Sequence, residues 1–162
     1  MPTALPPIDL ATPAATDALA RRLAPALGPG DTILLEGPVG AGKTAFARAL
    51  IGALRAQAGL PPEDVPSPTF TLVQTYDAGG FEIWHADLYR LGQPEEVLEL
   101  GLEDAFADAL CLVEWPDRLG PAAPRDAITL ALAVAGEGRR AVLSGPEAAL
   151  ARLAAALDRA PA

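Results

Sequence analysis

The spacing of hydrophobic positions changes several times along the chain, and each change marks an element. A short apolar-polar start over residues 5–10 gives way to Ala15, Leu19, Leu23 and Ala26 on one helical face. A helix is therefore expected over residues 13–27, stopped by Gly28-Pro29-Gly30. Residues 32–36 form an apolar run of strand length that leads directly into a glycine-rich segment, 37–44, before helical spacing resumes over 45–56. Four prolines mark 59–68 as a loop. Alternation over 70–76 and 81–86, with Asp77-Ala78-Gly79-Gly80 between, predicts a hairpin. Two short helical pieces are expected at 94–100 and 102–110, parted by Gly101. The run 110–114 is apolar up to its final Glu114 and reads as a central, buried strand. A second hairpin over 128–134 and 140–143, about Gly136-Glu137-Gly138, precedes an amphipathic helix at 146–157. With no internal repeat and no linker, one α/β domain over residues 1–162 is expected.

Composition narrows the chemistry. Twelve basic residues against twenty-one acidic ones give a net charge of −9, which argues against an autonomous nucleic-acid binder. One cysteine, Cys111, and one histidine, His85, rule out a disulfide framework and make no zinc site of the usual kind. No apolar run reaches the roughly 20 residues of a membrane span, and the N-terminus lacks the pattern of a secretion signal, so a cytoplasmic protein is expected. The eleven arginines leave a single lysine, Lys43. In a chain so rich in Ala, Pro and Gly, a lysine serving only surface charge is easily replaced by arginine. The one that remains points to a role that arginine does not fill.

Lys43 lies in Gly37-Pro38-Val39-Gly40-Ala41-Gly42-Lys43-Thr44, which matches G-x-x-x-x-G-K-[ST] between a predicted strand and a predicted helix. Glycines let successive backbone N–H groups turn towards phosphate oxygens, and the helix N-terminus adds partial positive charge. Lys43 offers a compact charge to β- and γ-phosphates, and the Thr44 hydroxyl a ligand for Mg2+. The Asn-Lys-x-Asp element of common guanine-specific proteins needs another lysine, so ATP is favoured. The expected architecture is a P-loop NTPase-like three-layer fold with a mixed, mostly parallel sheet and two hairpins.

Such a loop needs a carboxylate at a neighbouring strand end for the metal or its water shell. Asp87 and Glu114 are the candidates; Glu114 follows the more continuously apolar strand, while Asp87 could orient water or another group near the γ-phosphate. Ser67-Pro68-Thr69-Phe70 is a proline-fixed turn able to carry a phosphate-sensing hydroxyl. His85 reads first as a structural hydrogen-bonder and second as a general base. Tyr89 and Arg90, close behind Asp87, serve packing and an ion pair or else contact phosphate or a partner.

Four blocks together resemble the TsaE (YjeE) family: residues 36–44, Ser67-Pro68-Thr69-Phe70-Thr71-Leu72-Val73, His85-Ala86-Asp87-Leu88-Tyr89-Arg90-Leu91, and Leu112-Val113-Glu114-Trp115-Pro116. The resemblance runs from about residue 12 to 120, with Pro38-Val39 standing where the family usually has Asp-Leu. It implies a bacterial ATPase required for threonylcarbamoyladenosine in tRNA, using ATP and Mg2+. It also implies nucleotide contacts from Gly37, Val39, Gly40, Ala41, Gly42, Lys43, Thr44, Ala45 and Trp115, with Thr44 and Glu114 as metal ligands. Lys43, Asp87, Glu114 and Thr69 would carry catalysis, Thr69 from a switch-like segment. The family's partners are TsaD and TsaB, through which tRNA would be reached; a monomer without membrane attachment is expected in isolation. Two other functions fit a loop of this kind. A small-molecule kinase would need an arginine-bearing lid, and neither Arg21-Arg22 nor Arg139-Arg140 supplies an evident one. An interaction module that binds nucleotide without turnover would not need Thr44, Asp87 and Glu114 intact.

Overall fold

The computed structural model describes residues 3–69, 71–93 and 95–159. Its strands are β1 (Thr3–Ala4), β2 (Ile8–Leu10), β3 (Thr32–Glu36), β4 (Val73–Asp77), β5 (Glu82–Asp87), β6 (Leu110–Glu114), β7 (Ile128–Ala135) and β8 (Gly138–Gly145). Its helices are α1 (Pro13–Leu23), α2 (Lys43–Gln57), α3 (Glu96–Leu100), α4 (Leu102–Asp108) and α5 (Glu147–Asp158). The strands join in one sheet ordered β1-β8-β7-β3-β6-β5-β4, with β2 also on β8. Pairing is parallel from β7 through β3 and β6 to β5. Both hairpins, β4–β5 and β7–β8, add antiparallel pairs outside that centre. The α/β fold with a mixed sheet is the one expected from the pattern, with its four central strands parallel.

Boundaries moved where local chemistry intervened. The expected helix to residue 27 ends as α-helix at Leu23 and continues as a 3-10 turn, Ala24–Ala26, containing Pro25. The alternation from 70 to 76 gives a strand only from Val73. Leu72 takes a left-handed φ of 68° and its N–H donates to Pro68 O at 2.7 Å, so the chain is still turning there. Phe70, the expected start of that strand, and Pro94, the expected start of a helical piece, lie outside the described residues.

Period-two alternation assigns the strand residues to two faces. Ile33, Leu35, Ile83, Leu110 and Leu112 pack against Phe46, Leu50, Ile51 and Leu54 of α2, together with residues of α1 and α5. Leu34, Ala86 and Val113 face Val97, Leu102 and Leu119 on the other side. His85 and Asp87 therefore share Ile83's face, and Glu114 shares that of Leu110 and Leu112, towards α2. Register completes the placement: Asp87 pairs with Glu114, and Leu35 pairs with Glu114 from the other side. The carboxyl ends of β3, β5 and β6 thus meet at one edge, the usual place for ligands in an open α/β sheet.

Candidate functional site

The loop after β3 begins with Gly37 at φ 145°, where an added Cβ would meet Leu132 O of β7 at 2.4 Å. Only glycine fits there. Gly42, at φ 101°, leads into α2, so the loop turns directly into a helix N-terminus. Lys43, the first residue of α2, is 6 % exposed. Its Nζ donates to Gly37 O and lies 3.5 Å from the centre of the Trp115 ring. Burial pulls its pKa below the usual lysine value, while the carboxylates of Glu114, Asp87 and Asp117 act in the opposite direction. Trp115 reaches this position because it adopts a left-handed φ of 59° just past β6. Its ring also leans on Tyr89, with centres 4.9 Å apart.

Thr44 Oγ1 lies 2.8 Å from Glu114 Oε1 and 3.0 Å from Oε2. His85 Nε2 meets Glu114 Oε2 at 2.7 Å, and both residues are buried. The adjacent carboxylate is held differently. Asp87 Oδ2 accepts from the Thr69 hydroxyl at 3.1 Å, Oδ1 accepts from the Tyr89 N–H at 3.0 Å, and Thr69 Oγ1 bonds to Ser67 Oγ at 2.8 Å.

Between these groups lies an open cleft of about 440 Å³. Of the positions singled out from the sequence, Val39, Gly40, Gly42, Lys43, Thr44, Ala45, Thr69, Asp87, Glu114 and Trp115 line it. Gly37 and Ala41 do not. Gly37 offers its carbonyl to Lys43, whereas Ala41 is buried in the core and its N–H donates to Pro38 O at 3.1 Å. Ser67 and Tyr89 complete the lining. His85 stands behind Glu114 with no exposed surface, and Tyr89 is half exposed at the cleft. One contact had no signal in the sequence. Arg139 of β8 donates from Nε to Gly40 O at 3.1 Å, bracing the glycine loop from the second hairpin.

Hard oxygen donors at Thr44 and Glu114 suit a small divalent cation. Among the described residues, no three His, Cys, Asp or Glu side chains form a metal cage. Two protein oxygens would leave most of the coordination shell of such a cation to water or a bound ligand.

Residues 10–142 match the family model described as threonylcarbamoyl adenosine biosynthesis protein TsaE. The chain belongs to the TsaE family. A tRNA threonylcarbamoyladenosine biosynthesis protein TsaE of Rickettsia conorii is 47 % identical over 102 residues, covering 63 % of this chain and 56 % of that protein. The chain thus matches little more than half of that relative's length. The TsaE of Rickettsia felis is 42 % identical over 77 % of this chain and 71 % of its own. That of Bacillus subtilis is 34 % identical over 80 % and 78 %. The crystal structure of Bacillus subtilis YdiB superposes with a TM-score of 0.75 at 26 % identity, covering 96 % of this chain and 97 % of that one. This TsaE-family chain has no helix, among its described residues, long and apolar enough to cross a membrane.

Proposed function

We propose that this chain binds ATP with Mg2+ in the cleft and hydrolyses it slowly, in support of threonylcarbamoyladenosine formation in tRNA. The observation that carries the reading is the convergence of Lys43, Thr44 and Glu114 at the mouth of one glycine loop. Loop N–H groups and Lys43 would take the phosphates, and Trp115 would flank the nucleotide. Thr44 and Glu114 would hold the metal, which when bound offsets phosphate charge. Asp87, beside Glu114 in register, would orient the attacking water, with Thr69 holding its carboxylate in place.

TsaD and TsaB are the proposed partners, and tRNA would be met through them in the cytoplasm by a chain that is one domain and a monomer in isolation. The net charge of −9 supports indirect contact with tRNA. Among the described residues, no arginine lines the cleft. That favours a switch completed by a partner's charge over a kinase with its own arginine lid. Phosphate release measured with and without TsaD and TsaB tests this reading. Low turnover alone and a clear rise with the partners is the expected result. A rate indifferent to the partners, or tight tRNA binding by the chain alone at physiological salt, would overturn it.

A further inference from the structure

We propose that His85 is a positioning residue that sets which divalent cation the site accepts, by withdrawing one oxygen of Glu114 from coordination. The inference rests on the metal-site reading above. Both Glu114 oxygens lie almost equally far from Thr44 Oγ1, at 2.8 and 3.0 Å. The carboxylate is thus turned edge-on to the hydroxyl, in an orientation from which both oxygens could grasp one cation. What distinguishes them is the 2.7 Å bond from His85 Nε2 to Oε2.

The single Thr44 hydroxyl hydrogen lies within reach of both carboxylate oxygens, at 2.8 and 3.0 Å, and leaves lone pairs on the Thr44 oxygen for a cation. His85 has no exposed surface, and an ionised carboxylate only accepts, so Nε2 is the donor to Oε2 at 2.7 Å. Oε2 is engaged from behind by the core, and Oε1 remains beside the Thr44 oxygen.

A carboxylate restricted to one oxygen suits Mg2+, which demands near-octahedral geometry and few protein ligands. Ca2+ readily takes both oxygens of a carboxylate at longer distances. Loss of the His85 donor frees Oε2 for two-oxygen chelation. It also loosens the carboxylate. Changes in such outer-shell partners typically cost about 10- to 100-fold in metal affinity.

The test is calorimetry of ATP binding with Mg2+, with Ca2+ and with a chelator, on the wild type and on His85→Leu, His85→Asn and His85→Gln. Thermal melts confirm that each variant is folded. Asn is too short to present a donor where Nε2 lies, whereas the longer Gln can; Asn also serves if the Leu variant does not fold. The Leu and Asn variants should lose Mg2+-dependent affinity by about 10-fold or more while Ca2+-dependent affinity falls less, and Gln should restore the preference. Equal losses for both cations in a folded Leu or Asn variant, or an unchanged ratio, would overturn the proposal. Glu114→Gln separates the two ideas. If it leaves metal-dependent affinity untouched, the metal site itself is misassigned, and the His85 proposal falls with it. If it abolishes that affinity while the His85 variants keep the wild-type ratio, only the inference about His85 fails.

Discussion

Glu114 and Asp87 are register partners at the same sheet edge, yet they are held by different kinds of structure. Glu114 ends a fully buried strand flanked by β3 and β5, and its side chain meets Thr44 of α2 and His85 of β5. Both of these side-chain partners belong to regular elements. Asp87 is also buried, but its carboxylate is met by Tyr89 N–H and by Thr69, a hydroxyl on the loop ahead of β4. That loop reaches the strand through Leu72 at φ 68°, whose carbonyl accepts from the Asp87 N–H at 2.9 Å. A change in the loop can thus alter the surroundings of Asp87 without moving Glu114. On the proposed function, binding would belong to the elements of the core, and turnover to a contact that a partner could remake.

The largest effect expected on the core side is that of Lys43→Ala. Losing a charge-assisted contact worth about 1.5–3 kcal/mol should weaken ATP roughly ten- to a hundred-fold by calorimetry. Unchanged affinity would remove the loop from the function. Lys43→Arg should be impaired too, because a planar guanidinium does not replace a compact ammonium buried against Gly37 O and Trp115.

The two carboxylates sharpen the contrast directly. Asp87→Asn should lower turnover by about 100-fold or more with ATP affinity nearly intact, as expected for a group acting on the reacting atoms. Glu114→Gln should instead weaken binding selectively when Mg2+ is present. Exchanged phenotypes would place the metal ligand on β5 and dissolve the distinction between the two sides.

A smaller change is expected for Thr69→Ala. It removes one hydrogen bond to a carboxylate and should lower turnover about tenfold while affinity and thermal stability hold. A comparable loss of affinity would mean that the loop belongs to the binding side after all. The least effect is expected on the sheet face opposite the cleft. Cys111 is fully buried, and burial pushes its thiol up to about 12. Iodoacetamide at pH 8 should therefore label it only as fast as the sheet opens, at the same rate with or without ATP if the cleft does not govern that opening.

The glycine loop, the buried strand ending at Glu114 and both hairpins were legible because each depends on neighbouring residues. Strand period and turn chemistry are local signals. The late start of β4 was not legible, since a leucine at φ 68° leaves no compositional trace. Nor was Arg139 on Gly40 O, a contact across 99 residues of sequence. His85 had a partial signal. Two residues from Asp87 on one strand, it had to share that residue's face, but its partner lay on another strand.

The sequence by itself determined the chemistry available at the site: one lysine, one hydroxyl after it, and carboxylates closing two strands. Only the tertiary structure decided which of these groups meet. Strand order places β6 between β3 and β5, and register sets Asp87 beside Glu114 with His85 two residues behind. A slip of one residue would turn every side chain of the strand to the opposite face. Register is fixed by burial of Leu110 and Leu112 against α2, and Cys111 and Val113 against the other layer. That is a property of packing between distant segments, which local sequence does not encode.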